Sequence, residues 1–116
     1  MDGEGDVIDC HFPDDCKEKI KAANESKKLV VIDFTASWAP PCREIAPAFV
    51  EMAKKFLNAV FFKVDVDELR EIAEEFNNEA MPTFVFMKDG KIIDRVMGAK
   101  KEVIQETLMK HGGVAV

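Results

Sequence analysis

Cys42 is the residue best placed for chemistry in this chain of 116 residues. It closes the stretch Trp38-Ala39-Pro40-Pro41-Cys42. That stretch follows an apolar run, Leu29-Val30-Val31-Ile32-Asp33-Phe34, and opens an amphipathic one. A cysteine at such a strand-to-helix turn reads as half of a two-cysteine redox site. Thiol–disulfide exchange needs a thiolate that attacks along the S–S axis. The unpaired N–H groups and dipole of a helix N-terminus stabilise that thiolate. With two residues between them, the second sulfur lies one turn inside the helix, where it can resolve the mixed disulfide. The other half of the site would be position 39, and position 39 is alanine. Pro40 and Pro41 carry no N–H and fix φ, so they stiffen the turn and start the helix.

Other residues carry weaker signals. Asp33 lies inside an apolar run, where a buried charge is costly unless its pKa moves or it finds a partner. The alternative is a strand-end carboxylate in water. Cys16 falls on the apolar face of a helix and reads as a buried inert thiol. Cys10, His11, Asp14, Asp15 and Cys16 loosely suggest metal ligands, but no second ligand pair has zinc-site spacing, so no metal site is expected. His111 sits near the end of the last helix, where a cation complements the dipole.

The elements that must position these residues follow from periodicity. Residues 7 to 12 alternate weakly, as an edge strand does. Pro13-Asp14 starts a helix that carries Cys16, Ile20 and Ala23 on one face. Residues 29 to 34 are apolar on both faces, as a central strand must be. Residues 41 to 57 place Cys42, Ile45, Ala46, Phe49, Met52, Ala53 and Phe56 on one helical face, and Pro47 should kink that helix. Residues 60 to 66 form a further strand. Asp65-Val66-Asp67-Glu68 has capping-box spacing and predicts the start of a helix carrying Leu69, Ile72, Ala73 and Phe76. Asp89-Gly90 joins residues 83 to 88 and 91 to 97 as a hairpin. A last helix over 101 to 111 places Val103, Ile104, Thr107, Leu108 and His111 on one side. The order is β-α-β-α-β-α-β-β-α. It predicts an α/β fold with a central mixed sheet and helices on both faces.

Composition bounds the function. The chain has the length of one domain, taken as 1 to 116 with a core of about 6 to 113. The net charge is −6 and no basic stripe occurs, which argues against nucleic acid as a partner. No apolar run approaches a membrane span. The acidic N-terminus, Met1-Asp2-Gly3-Glu4-Gly5-Asp6, has no apolar segment of the secretory kind, so a cytoplasmic protein is expected. Three cysteines, an odd number, fit a reducing compartment better than a disulfide scaffold.

Three segments together resemble one family. Asp33 through Cys42 resembles the thioredoxin active-site segment, whose pattern is Trp-Cys-x-x-Cys. Ala80-Met81-Pro82-Thr83-Phe84 resembles that family's substrate-side loop, and Val96-Met97-Gly98-Ala99 its third contact segment. Asp-Phe-Thr-Ala-Ser-Trp, Val-Asp-Val-Asp-Glu-Leu and Gly-Ala-Lys-Lys are most similar to the cytosolic h-type thioredoxins of plants.

The resemblance implies a thioredoxin fold and protein-disulfide reductase activity, with electrons from NADPH through a thioredoxin reductase. It implies disulfide-containing client proteins and no bound cofactor. Position 39 would be the exposed attacker, Cys42 the buried resolver and Asp33 the proton-transfer group, with Lys63 beside it. Pro40 and Pro41 would tune the reduction potential. Trp38, Met81, Pro82, Gly98 and Ala99 would line a peptide groove, with a cis peptide bond before Pro82. Cys10 matches an N-terminal cysteine of h-type relatives. There it offers a route to a dimer of an otherwise monomeric protein, or to a glutathione adduct, the alternative being strand-end packing. With Ala39 the expected form is redox-disabled, and a peptide-binding or chaperone-like module using the same groove is the competing reading. Cys16, Asn78 and Glu44 depart from residues usual in relatives.

Overall fold

A computed structural model describes residues 5–116, and the acidic residues 1–4 lie outside it. The elements are β1 (Val7–Cys10), α1 (Pro13–Glu25), β2 (Leu29–Thr35), α2 (Pro40–Lys55), β3 (Ala59–Asp65), α3 (Arg70–Glu75), β4 (Thr83–Lys88), β5 (Lys91–Met97) and α4 (Lys101–Lys110). The five strands form one sheet in the order β1-β3-β2-β4-β5. β3 pairs in parallel with β1 and β2, whereas β4 runs antiparallel to β2 and β5. Helical crossovers return β2 and β3 parallel to β1, but the connection through α3 does not: β4 already runs antiparallel to β2, and the Asp89-Gly90 hairpin then reverses the chain once more into β5. Asp89 and Gly90 both adopt positive φ, 53° and 81°, as a tight two-residue hairpin requires.

Each face of the sheet has its own core. On one face α1 and α3 bring Cys16, Ile20, Leu69 and Ile72 against Val30, Ile32 and Phe34 of β2. On the other, α2 and α4 bring Ile45, Phe49, Ile104 and Leu108 against Leu29 and Val31. Adjacent β2 residues alternate between the two cores because strand side chains point to opposite faces. All seven β2 residues are buried.

Local details differ from the sequence expectation in several places. β1 ends at Cys10, and Phe12 is exposed ahead of α1. The Asp65 carboxylate accepts from the N–H groups of Asp67 (2.8 Å) and Glu68 (3.2 Å), so it closes a turn rather than capping a helix. α3 therefore starts only at Arg70, after buried Leu69. Side-chain to backbone bonds of this type compete with helix propagation. Of the expected α4 face, Val103 is exposed while Ile104, Thr107 and Leu108 are buried. As expected, Pro47 lies inside α2, which spans Pro40–Lys55 as one helix.

Phe34 shows what the central strand carries. It is fully buried, and its ring lies 5.3 Å from that of Phe76, which follows α3. Phe34→Ala is expected to lower unfolding free energy by about 3–5 kcal/mol, the usual cost of removing a buried aromatic ring. Urea titration followed by circular dichroism measures it.

Candidate functional site

β2 ends at Thr35, and the chain turns through Ala36 to Ala39 before entering α2. This turn is held from several sides. Val66 N–H donates to the Thr35 carbonyl (2.9 Å), and the Arg43 guanidinium donates to the Ser37 carbonyl (3.0 Å). Ala39 is the N-cap residue, in extended conformation, and makes no side-chain cap. Alanine is a poor N-cap because a helix start leaves four N–H groups without helical partners. Here none is orphaned. Ala39 N–H donates to the Ala36 carbonyl (3.1 Å), Pro40 and Pro41 have no N–H, and Cys42 N–H donates to the Ala39 carbonyl (3.1 Å). The two prolines thus remove the donors that a capping side chain would otherwise have to satisfy.

Cys42 is buried, 3% exposed, and its Sγ accepts the Ala36 N–H at 3.5 Å. Ala36, Ala39 and Cys42 form a small apolar cluster against which Met81 and Val66 pack. The structure therefore brings positions 39 and 42 together with the Met81 loop. Position 39 itself is only 5% exposed. The exposure that the resemblance implies at position 39 is that of an attacking sulfur, whereas the group present here is the buried Ala39 methyl. A methyl group stops at Cβ, inside the cluster, with no further atom to protrude from it.

Around this cluster lie the other expected groove residues. Trp38 is 63% exposed, and its indole N–H donates to the Asp67 carboxylate (2.8 Å). The Met81–Pro82 peptide bond is cis. Gly98, at φ +96°, donates its N–H to the Pro82 carbonyl (2.8 Å), which ties the β5 end to the Met81 loop. Thr83 Oγ1 donates to the Ala80 carbonyl (2.6 Å) and closes the same loop. Ala99 is half-buried beside Gly98, and Met97 is exposed. Of the departures noted above, Glu44 is exposed on a cleft between α2 and α4. Neither polar atom of the Asn78 side chain has a hydrogen-bond partner among the described residues.

Asp33 and Lys63 line a separate cleft on the α2 face of the sheet, about 460 Å³ in volume, with Asp9, Ala46, Phe49 and Val50. Asp33 is 3% exposed, and its Oδ1 has no hydrogen-bond partner among the described residues. Burial pushes its carboxyl up to about 7, while the Lys63 charge pulls the other way and only partly offsets it. Register places Asp33 and Asp9 on either side of Lys63 in three adjacent strands. Sequence reasoning missed Asp9. It also missed Asp67, the Trp38 partner, because the meeting of these residues depends on pairings between distant segments.

His111, expected to complement the α4 dipole, also bonds Asp94 through Nε2 (2.9 Å). That hydrogen bond holds the Asp94 carboxyl below its usual range. Cys10 is 2% exposed, which agrees with strand-end packing rather than an exposed thiol: β1 carries its side chain into the core on the α1 face. Among the described residues no group of three or more potential ligands could hold a metal ion, and no helix is long and apolar enough to cross a membrane.

Residues 11–110 match the family model of thioredoxin. The chain belongs to the thioredoxin family. It is 70% identical over 114 residues to Thioredoxin H5 of Arabidopsis thaliana, covering 98% of this chain and 97% of that protein. Thioredoxin H3 of the same plant is 64% identical over 111 residues, covering 96% of this chain and 94% of that protein. Among solved structures, thioredoxin NaTrxh from Nicotiana alata gives a TM-score of 0.88 at 39% identity, over 90% of this chain and 91% of that one. The chain is thus similar to plant h-type thioredoxins, and its family is one of thiol–disulfide oxidoreductases.

The raised Asp33 carboxyl has a consequence for stability. A carboxyl at about 7 in the fold, against about 3.9 in the unfolded chain, binds its proton more tightly when folded. That contribution is fully present below the unfolded value. It is lost as pH rises through about 7, where folding must bury a charge. Asp33→Asn removes that charge. It is expected to raise stability by roughly 3–4 kcal/mol at pH 8.5 relative to its effect at pH 4, because each tenfold difference in proton affinity is worth about 1.4 kcal/mol. Denaturant titrations of both chains across that range test this, and an effect independent of pH would refute it.

Proposed function

We propose that this chain is an h-type thioredoxin body whose protein-disulfide reductase chemistry is disabled at position 39. The observation that carries the reading is the buried Ala36-Ala39-Cys42 cluster: a methyl group where the attacking sulfur would stand, beside a Cys42 that is itself buried. In the intact arrangement, the sulfur at 39 attacks a client disulfide and forms a mixed disulfide. Cys42 then attacks that bond and releases the reduced client, leaving a 39–42 disulfide for a thioredoxin reductase to reduce with electrons from NADPH. Asp33, with Lys63 beside it, takes and returns the Cys42 proton. Pro40 and Pro41 set the stiffness of the turn, and Trp38, Met81, Pro82, Gly98 and Ala99 receive the client chain. The setting is cytoplasmic.

In this chain the first step has no nucleophile and Cys42 has no resolving partner. NADPH consumption with a thioredoxin reductase and a disulfide substrate is expected to stay at background. Ala39→Cys is expected to raise it by roughly 10³-fold or more, the scale on which a covalent nucleophile acts. Reductase turnover by the Ala39 chain would refute the reading.

A second reading, a redox-inactive peptide-binding module, is favoured by one feature. The groove does not depend on the missing sulfur: Trp38 and Met97 stay exposed, and the Gly98–Pro82 hydrogen bond holds the loop. An extended client chain would bind through backbone pairing along this edge. Met81→Asp is expected to weaken binding of an unfolded client peptide at least tenfold, measured by fluorescence anisotropy. Unchanged affinity would remove this reading.

A further inference from the structure

Lys63 is the one charged register partner of Asp33, and a second carboxylate stands on its far side. Val31 of β2, Phe61 of β3 and Val7 of β1 all pack in the core on the α2 face. Strand alternation therefore brings Asp33, Lys63 and Asp9, each two residues on, to that same face. Register aligns the three in one row across adjacent strands. Strands lie about 4.8 Å apart, so the row spans about 10 Å. All three residues line the cleft of about 460 Å³ described above, with Asp6 as the other charge on it. What faces Asp33 from the remaining elements is apolar: Ala46, Phe49 and Val50 of α2, and Phe84, its partner on β4.

We propose that Asp9 is a positioning residue for Asp33: it shares the Lys63 ammonium across β3 and so leaves Asp33 able to hold a proton. Its bearing on catalysis rests on the proton-transfer role proposed above for Asp33. Lys63 and Asp9 are exposed while Asp33 is buried, so the ammonium keeps its water beside Asp9 and must give it up to approach Asp33. Its flexible four-carbon stem allows either position. Among the described residues it closes an ion pair with neither carboxylate. Lys63 and Asp9 also share a smaller cleft, about 180 Å³ in volume, with His11, Asp65 and Glu68. Those two carboxylates are engaged, Glu68 with His11 (3.0 Å) and Asp65 with the N–H groups of Asp67 and Glu68, which leaves Asp9 to hold the ammonium. The raised Asp33 carboxyl agrees with this, because burial outweighs a Lys63 charge that Asp33 does not have to itself.

Neutralising Asp9 removes the rival anion, so Lys63 turns to Asp33 and favours its ionised form. The Asp33 carboxyl then loses its proton at lower pH. Removing Lys63 instead leaves Asp33 to burial alone, and the carboxyl keeps its proton to higher pH. Asp9 also repels the Asp33 charge directly, but at about 10 Å and beside exposed groups that effect is small. An effect of Asp9 that vanishes with Lys63 is therefore the mark of sharing, and one that persists is the mark of direct repulsion.

Carbon-13 NMR reads the titration of the Asp33 carboxyl in the chain itself, in Asp9→Asn, in Lys63→Met and in the double variant. Both substitutions fall on exposed side chains and leave the core untouched. Asp9→Asn is expected to lower the Asp33 midpoint by about one pH unit, the scale of one nearby opposite charge. Asp9→Glu, which keeps the anion, is expected to leave the midpoint in place. Lys63→Met is expected to raise it, and adding Asp9→Asn to Lys63→Met to change it little further. An unmoved or raised midpoint in Asp9→Asn overturns the proposal. So does an equal lowering with and without Lys63. In the Ala39→Cys chain, the pH profile of reductase turnover is expected to move with the midpoint. A profile that stays while the midpoint moves sustains the sharing of Lys63 and refutes proton transfer by Asp33 instead.

Discussion

β2 has no face left for water, and the rest of the molecule is arranged around that constraint. Its seven residues are buried, so both sides must be covered and both edges paired, by β3 on one side and β4 on the other. Covering both faces requires helices, α1 and α3 on one side and α2 and α4 on the other. The C-terminal end of so rigid a strand is a fixed point from which to launch α2. The turn from Ala36 to Ala39 inherits that rigidity, and with it the position of Cys42.

The same burial makes Asp33 unusual. A carboxylate in the middle of a fully buried strand costs stability whenever it is charged. Lys63 stands beside it in register and only partly offsets that cost, so the carboxyl is raised to about 7. A group with that affinity can exchange a proton near neutrality, where an ordinary aspartate stays ionised. The strand that organises the core and the residue proposed to move the proton are therefore the same element.

The corner at position 39 holds its architecture without any contribution from a capping side chain. The backbone bonds of the turn involve Ala39 N–H and C=O, not its side chain, and Pro40 and Pro41 remove two of the donors a cap would serve. Alanine at this N-cap therefore leaves no donor unsatisfied and fills space within an apolar cluster. What it lacks is the atom that would reach out of that cluster. The neighbouring groove is held by other contacts, Trp38 to Asp67 and Gly98 to Pro82, which do not pass through position 39.

Much of this was legible in the residues themselves. Periodicity revealed the element order, because strands repeat every two residues and helices every 3.6. The double-sided apolar run marked β2 as central, Asp89-Gly90 marked the hairpin, and the Trp38–Cys42 segment marked the turn. Local competition was less legible: the Asp65 carboxylate turns the chain where its spacing suggested a cap. The sequence by itself determined which elements form, in what order, and that position 39 carries no sulfur. Only the tertiary structure decided what meets across the chain. It set Lys63 between Asp9 and Asp33, joined Asp67 to Trp38, and carried Cys10 into the core on the α1 face. The reason is physical. A side chain's facing is encoded by its own strand or helix, but its neighbours depend on sheet register and helix packing, which are settled by the whole core at once.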